Sequence, residues 1–165
     1  VLVGPFLPGT INFEGVNIIS KIVKKFPKIK FTFIGKTNEF FKNQLKNENT
    51  EFLGVVDNYE STLRKYSVLF APYPSHAKYL GSKNKFLEAA ACKMPIITTS
   101  SGAVDFRNDL LSIGNTTEKI SNLIKYLMDE NNRKDIGNKL RREIEEKYNA
   151  EIEVKKIVKL YNEYE

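Results

Sequence analysis

Residues 67–73, SVLFAPY, are apolar almost without interruption and lie between the basic pair Arg64–Lys65 and Pro74. So short a run cannot span a bilayer, which takes about 20 apolar residues, and its Val, Phe and Tyr content favours a strand. A strand apolar on both faces must be covered on both, the condition of a central strand in a parallel sheet. PIITT at 95–99 meets the same condition. The chain has 165 residues, long enough to bury one such sheet and too short for two full domains. It is read as a single domain, residues 1–165.

Around these strands the sequence alternates between strand and helix patterns. VLVG at 1–4 reads as a strand with no lead-in, so the chain is expected to be a fragment of a longer polypeptide. PFLPGTINFE at 5–14 has the Pro and Gly content of a loop. In GVNIISKIVKKF, Val16, Ile19, Ile22, Val23 and Phe26 recur near helical spacing, and Pro27 closes the helix. KIKFTFIG then reads as a strand. Helices are expected at 38–47 and 58–65, the second capped by Asp57 or Asn58, with EFLG as a short strand between them. A helix beginning near Ser82 to Asn84 precedes PIITT, and DLLSI at 109–113 reads as one more short strand.

From Thr116 the pattern is helical only. Thr116 or Thr117 can cap EKISNLIKYLMDE, and two more helices follow at about 132–147 and 150–164. In the last, Val154, Ile157, Val158 and Tyr161 form a stripe suited to core packing or to a partner domain. Strand–helix alternation ending in helices implies an α/β fold, a parallel sheet with helices on both faces. Ligands of such sheets collect at the carboxyl ends of the strands, where helix N-termini present unpaired N–H groups. That criterion selects the loops 4–14, 35–38, 73–84 and 99–108.

Composition narrows the ligand class. No apolar run is long enough to cross a membrane and no signal-peptide pattern opens the chain. The single cysteine, Cys92, excludes an internal disulfide and fits a reducing, cytoplasmic compartment. With His76 the only histidine, no clustered His/Cys metal site is expected. The net charge is +6, and the excess lies in residues 1–128, with seventeen basic against ten acidic side chains, while the remainder has nine against ten. Such an excess suits an anionic ligand or a solvated lysine surface. Aromatic–basic interleaving is missing, so nucleic acid is not the expected partner.

Some short motifs dissolve on inspection. GKT at 35–37 resembles the end of a phosphate loop, but position 30 is Lys30 where that motif needs glycine. NTT at 115–117 fits a helix cap better than a glycosylation site, and His76 has no carboxylate close in sequence to orient it. GSKNKFLEAAACKMPII at 81–97 is more informative. On its helix Phe86 and Ala90 share one face, while Lys85, Glu88 and Cys92 share another. Lys85 lies in the first turn, where its ammonium can meet an anion favoured by the helix dipole. Glu88, one turn deeper, offers two acceptor oxygens suited to a pair of vicinal hydroxyls. Without a ligand, the two residues would form only an exposed ion pair worth a few tenths of a kcal/mol.

SKNKFLEAAACKMPIITTSSG, residues 82–102, resembles the signature of the retaining, GT-B-fold glycosyltransferases of the group 1 class (family 4). Members commonly carry a Lys, two residues, a Glu, small residues, then Pro and two aliphatics. Here these are Lys85, Glu88, Ala89, Ala91, Cys92, Pro95, Ile96 and Ile97. The likeness runs through VLVG, the 15–35 helix–strand unit, EFLGVVDNYESTLRKYSVLFAPY and the terminal helices, covering the carboxyl-terminal half of such an enzyme. The implied fold is Rossmann-like, one half of a GT-B fold.

The resemblance implies a domain that binds a nucleotide-sugar donor. An N-terminal domain, missing from this chain, would bind a carbohydrate or lipid-linked acceptor, and peripheral contact with the inner face of the membrane would suit the latter. The nucleotide-sugar would be a substrate; no cofactor and no metal are implied. By the same resemblance Glu88 would accept the donor's ribose hydroxyls. Lys85, Gly81, Ser82 and Asn84 would lie near its phosphates or sugar, and Gly4 and Gly102 match glycines that follow strands. No catalytic residue is assigned, and the fragment alone is expected to turn nothing over.

Several positions depart from the family pattern. Leu80 stands where many members have a second glutamate, and Lys93 where glycine is usual. Pro5 or Phe6 and Glu14 occupy places often held by an Arg and a Lys on the diphosphate, and Lys36 and Thr37 replace a glycine-rich turn. Lys36, Lys83 or Lys85 can reach the same crevice in compensation. The alternatives are a sugar-nucleotide epimerase of the same architecture and a degenerate, non-catalytic partner domain.

Overall fold

The computed structural model describes residues 1–79, 83–104, 106 and 108–163. Among the described residues, six parallel strands form two three-stranded sheets. β1 (Leu2–Val3), β2 (Phe31–Ile34) and β3 (Thr50–Gly54) lie in the order β1-β2-β3. β4 (Leu69–Ala71), β5 (Ile96–Thr98) and β6 (Ser112–Ile113) lie in the order β4-β5-β6. The two sheets meet along β1 and β4, where Phe70 N donates to Val1 O at 2.8 Å and the Val1 amine to Val68 O at 2.7 Å. The continuous order is therefore β3-β2-β1-β4-β5-β6, with the winding direction reversing between β1 and β4. In sheets of this order the crevice at that reversal is the usual ligand position.

Among the same residues there are eight α-helices: α1 (Ile11–Glu14), α2 (Val16–Lys25), α3 (Glu39–Leu45), α4 (Tyr59–Leu63), α5 (Asn84–Ala91), α6 (Thr117–Tyr126), α7 (Glu130–Lys147) and α8 (Ala150–Asn162). Strand residues alternate between two cores, as the two-residue period of a pleated strand requires. Phe70 and Ile97 pack with Ile19, Ile22 and Phe41 of α2 and α3 and with Ile120 of α6. Leu69, Ala71 and Ile96 pack with Phe86, Ala89 and Ala90 of α5 and with Leu140 of α7. The alanines bring α5 close to the sheet, because they carry no bulk beyond Cβ.

Side-chain caps start most helices. Asn58 accepts from Ser61 N at 3.2 Å and Thr116 from Lys119 N at 3.1 Å, each one of the two caps expected at its position. Helix α5 is different: Lys83 precedes it and supplies no side-chain cap. Within its first turn, Phe86 N donates to Lys83 O at 2.7 Å, and the turn lies at the carboxyl end of the sheet.

The structure corrects four expectations. Residues 5–14 are not all loop, since one helical turn forms at Ile11–Glu14. Only Ser112–Ile113 of DLLSI pair as strand, and Asn108–Leu110 form a 3-10 turn. Lys85 and Glu88 do not meet. The apolar stripe of the last helix is exposed rather than in the core, because no residue of α8 is buried.

Candidate functional site

Lys85 projects from the first turn of α5 into the divide between β1 and β4. Its Nζ donates to Val3 O, the last carbonyl of β1, and to Asn12 Oδ1 at 2.8 Å. It also lies 5.4 Å from the centroid of the Tyr73 ring, which follows β4. Both hydrogen-bonding oxygens are neutral. Burial lowers the Lys85 ammonium to about 8, with Glu88 pulling the other way. Among the described residues the ammonium's acceptors are both neutral, and a partly desolvated cation so held keeps an unfilled demand for an anion.

Gly4 makes this arrangement sterically feasible. Its φ of +137° suits glycine, and a Cβ there would sit 2.2 Å from Asn12 Nδ2 and 3.1 Å from Lys85 Nζ. Gly102 plays a related part after β5, since a Cβ would fall 2.2 Å from Thr98 Oγ1 and 2.5 Å from the Tyr73 ring. The neighbouring Thr99 ties this loop to the one after β4: its hydroxyl donates to Tyr73 O at 2.7 Å and accepts from Tyr73 N at 3.1 Å. Two of the expected glycines therefore lie on either side of Tyr73 and Lys85.

Glu88 is exposed, and its Oε2 accepts a hydrogen bond from Tyr59 OH at 2.8 Å. Tyr59 opens α4, just after β3 and Asn58. Burial first, and the adjacent Glu88 carboxylate second, hold the Tyr59 hydroxyl well above the ordinary tyrosine range. The ion pair between Lys85 and Glu88 does not form because each polar end has a partner from elsewhere: β1 and α1 for the lysine, α4 for the glutamate. Asn84 is exposed at the start of α5. Gly81 and Ser82, with Leu80, lie outside the described residues.

Of the compensating lysines, Lys83 donates to Ala77 O at 3.4 Å and lies 5.8 Å from the Tyr73 ring centroid, while Lys36 is exposed after β2. His76 also gains a carboxylate that sequence proximity did not offer, with Nε2 3.3 Å from Glu14 Oε2. Asn12, Tyr59, Tyr73 and the Glu14–His76 pair are site features that the sequence reading missed. The only local signal was positional: each lies in or beside a loop at the carboxyl end of a strand. A separate cavity of about 500 Å³ opens at the other end of the sheet, beside Val1, Phe31 and Val68. It is remote from α5 and contributes nothing to this crevice.

The family model for glycosyl transferases group 1 matches residues 13–130. A mutant of S. aureus TarM, solved in complex with fondaparinux, alpha-GlcNAc-glycerol and UDP, is similar with a TM-score of 0.74 at 19% identity, covering 97% of this chain and 34% of that one. The C-terminal domain of the group 1 glycosyl transferase LpcC from Francisella tularensis gives 0.67 at 20% identity, covering 90% of this chain and 85% of that one. Anabaena Alr3699/HepE, in complex with UDP and glucose, gives 0.70 at 14% identity over 98% and 48%. At these identities the likeness is one of fold, and the chain spans about a third of TarM's length. No curated protein matches the sequence.

Proposed function

The chain belongs to the group 1 glycosyl transferases, and from that premise we propose that it is a nucleotide-sugar donor domain. The sugar would move, with retention, to a carbohydrate or lipid-linked acceptor bound by a further domain. The observation that carries the reading is Lys85, a partly desolvated cation at the β1–β4 divide with two neutral hydrogen-bond acceptors. An ammonium has three donors, and the third is left for a diphosphate oxygen. The N-terminus of α5, where Lys83 makes no side-chain cap, adds a dipole of the right polarity. Together they stabilise the negative charge that grows on the departing diphosphate.

Glu88 serves the ribose. One carboxylate oxygen holds Tyr59 OH, and the other is offered to the sugar hydroxyls. TarM and HepE, which share the fold, were solved with UDP, which makes UDP the first donor nucleotide to try. The reading places the protein in the cytoplasm, at the inner membrane face where the acceptor is lipid-linked. It calls on no metal and no cofactor.

Titration of the 165-residue chain with UDP, GDP and ADP tests this reading. One nucleotide should bind, and Lys85→Met should weaken it about 10-fold or more, the usual range for a lost charge-assisted hydrogen bond. Glu88→Gln should weaken it less. The reading fails if no nucleoside diphosphate binds at millimolar concentration, or if neither substitution matters. One observation favours a second reading, a non-catalytic partner domain: Glu14 sits where the family often has a phosphate-binding lysine, and it is paired with His76. Under that reading the titration shows no binding.

A further inference from the structure

We propose that Asn12 is a positioning residue, whose side-chain amide holds the Lys85 ammonium at the end of β1 without neutralising it. The inference rests on the reading of Lys85 as the diphosphate-binding cation. Asn12 Oδ1 accepts from Lys85 Nζ at 2.8 Å, and Asn12 Nδ2 donates to Pro5 O at 3.2 Å. These partners fix the amide's orientation. Reversed, it would set an NH2 against an ammonium and a carbonyl oxygen against the Pro5 oxygen.

The surrounding chain holds the amide in place. Thr10 Oγ1 lies 2.9 Å from Pro5 O and 2.8 Å from Leu7 O, its one hydrogen shared between the two carbonyls, which closes the 5–12 segment on itself just before Asn12. Gly4 leaves the space that the amide fills, since a Cβ would lie 2.2 Å from Nδ2.

A neutral oxygen at this point has a particular consequence. Glu88 lies three residues on along α5, a spacing at which a lysine and a carboxylate can pair. Held by Asn12 and Val3, the ammonium stays away from Glu88 and keeps its charge for a ligand. An aspartate in the same position would quench that charge. The other groups around Lys85 are Glu88 on its own helix, Tyr73 after β4 with Lys83 also over its ring, and the Glu14–His76 pair that joins α1 to the turn after β4.

Competitive acetylation with acetic anhydride from about pH 7 to 10, read at Lys85 by mass spectrometry, tests the contact without any ligand. In the wild-type chain the Lys85 midpoint should fall near 8. Asn12→Ala removes an acceptor of the charged form and should move it down by about one pH unit, a tenfold change in the protonation equilibrium. Asn12→Asp, nearly isosteric, should move it up by a similar amount. UDP affinity at neutral pH should drop roughly three- to tenfold in both, in the first because Lys85 is mispositioned and in the second because the carboxylate opposes the diphosphate.

Midpoints that stay put, or that move the same way in both variants, overturn the inference, and the aspartate variant alone decides if the alanine variant does not fold. Opposite shifts with wild-type UDP affinity overturn the positioning role in binding. If the wild-type chain binds no UDP, GDP or ADP, the donor reading itself falls, and Asn12's role in binding with it. The acetylation midpoints separate that failure from a failure of the Asn12–Lys85 contact.

Discussion

Lys85 carries a positive charge that is only partly hydrated, and its hydrogen-bond partners Val3 and Asn12 are neutral. That arrangement has a pH signature. The fold holds Lys85's proton only to about 8, against 10.5 for the ordinary side chain. Between those values the unfolded chain binds more protons, so stability rises with pH across that window. Denaturant unfolding at about pH 8 and 10 should show this rise in wild type and a shallower one in Lys85→Met; equal slopes would contradict the burial argument. Lys93 offers a second residue-scale test. Its φ of 56° is left-handed, a conformation that costs a side chain about 1 kcal/mol and glycine little. Lys93→Gly should therefore stabilise the domain by about 0.5–1 kcal/mol in chemical denaturation. At this scale the sequence identified Lys85 and Glu88 from their types and spacing but not what they touch. Their partners Asn12 and Tyr59 are 73 and 29 residues away, so only the folded chain brings them together.

At the scale of elements, α5 and α7 meet through a point with no slack. A Cβ on Gly137 of α7 would come within 2.0 Å of Lys93 O, the carbonyl just beyond α5. Gly137→Ala should cost about 1–3 kcal/mol, the range for overpacking, read as a lower denaturation midpoint. Helix α8 is the contrasting case, with Val154, Ile157, Val158 and Tyr161 all at least half exposed. Deleting residues 150–165 should shift the thermal midpoint by no more than about 3 °C, since little apolar area is buried there. A large loss would mean that α8 stabilises the core. Helices and strands are legible here because apolar spacing and caps such as Asn58 and Thr116 are local signals. What the α8 stripe packs against is not, because the spacing marks an apolar face without specifying its cover.

For the whole molecule, alternation and two doubly apolar runs are enough to imply a parallel sheet with helices on both faces. The strand order is not contained in them, because the β1–β4 junction joins Val1 to Phe70 and no local pattern records that pairing. Yet that junction creates the crevice, and the loops after β1 and β4 supply the partners of Lys85. The missed features follow the same logic: Asn12 and His76 lie on short helical turns in connections whose ends the sheet brings together. The central claim is that this crevice binds a nucleoside diphosphate through Lys85. Calorimetric titration of UDP, GDP and ADP into wild type and Lys85→Met tests it most directly. Saturable binding of one nucleotide, weakened about 10-fold or more by the substitution, is the expected result. Equal affinity in the two proteins, or no heat from any nucleotide at millimolar concentration, would contradict it.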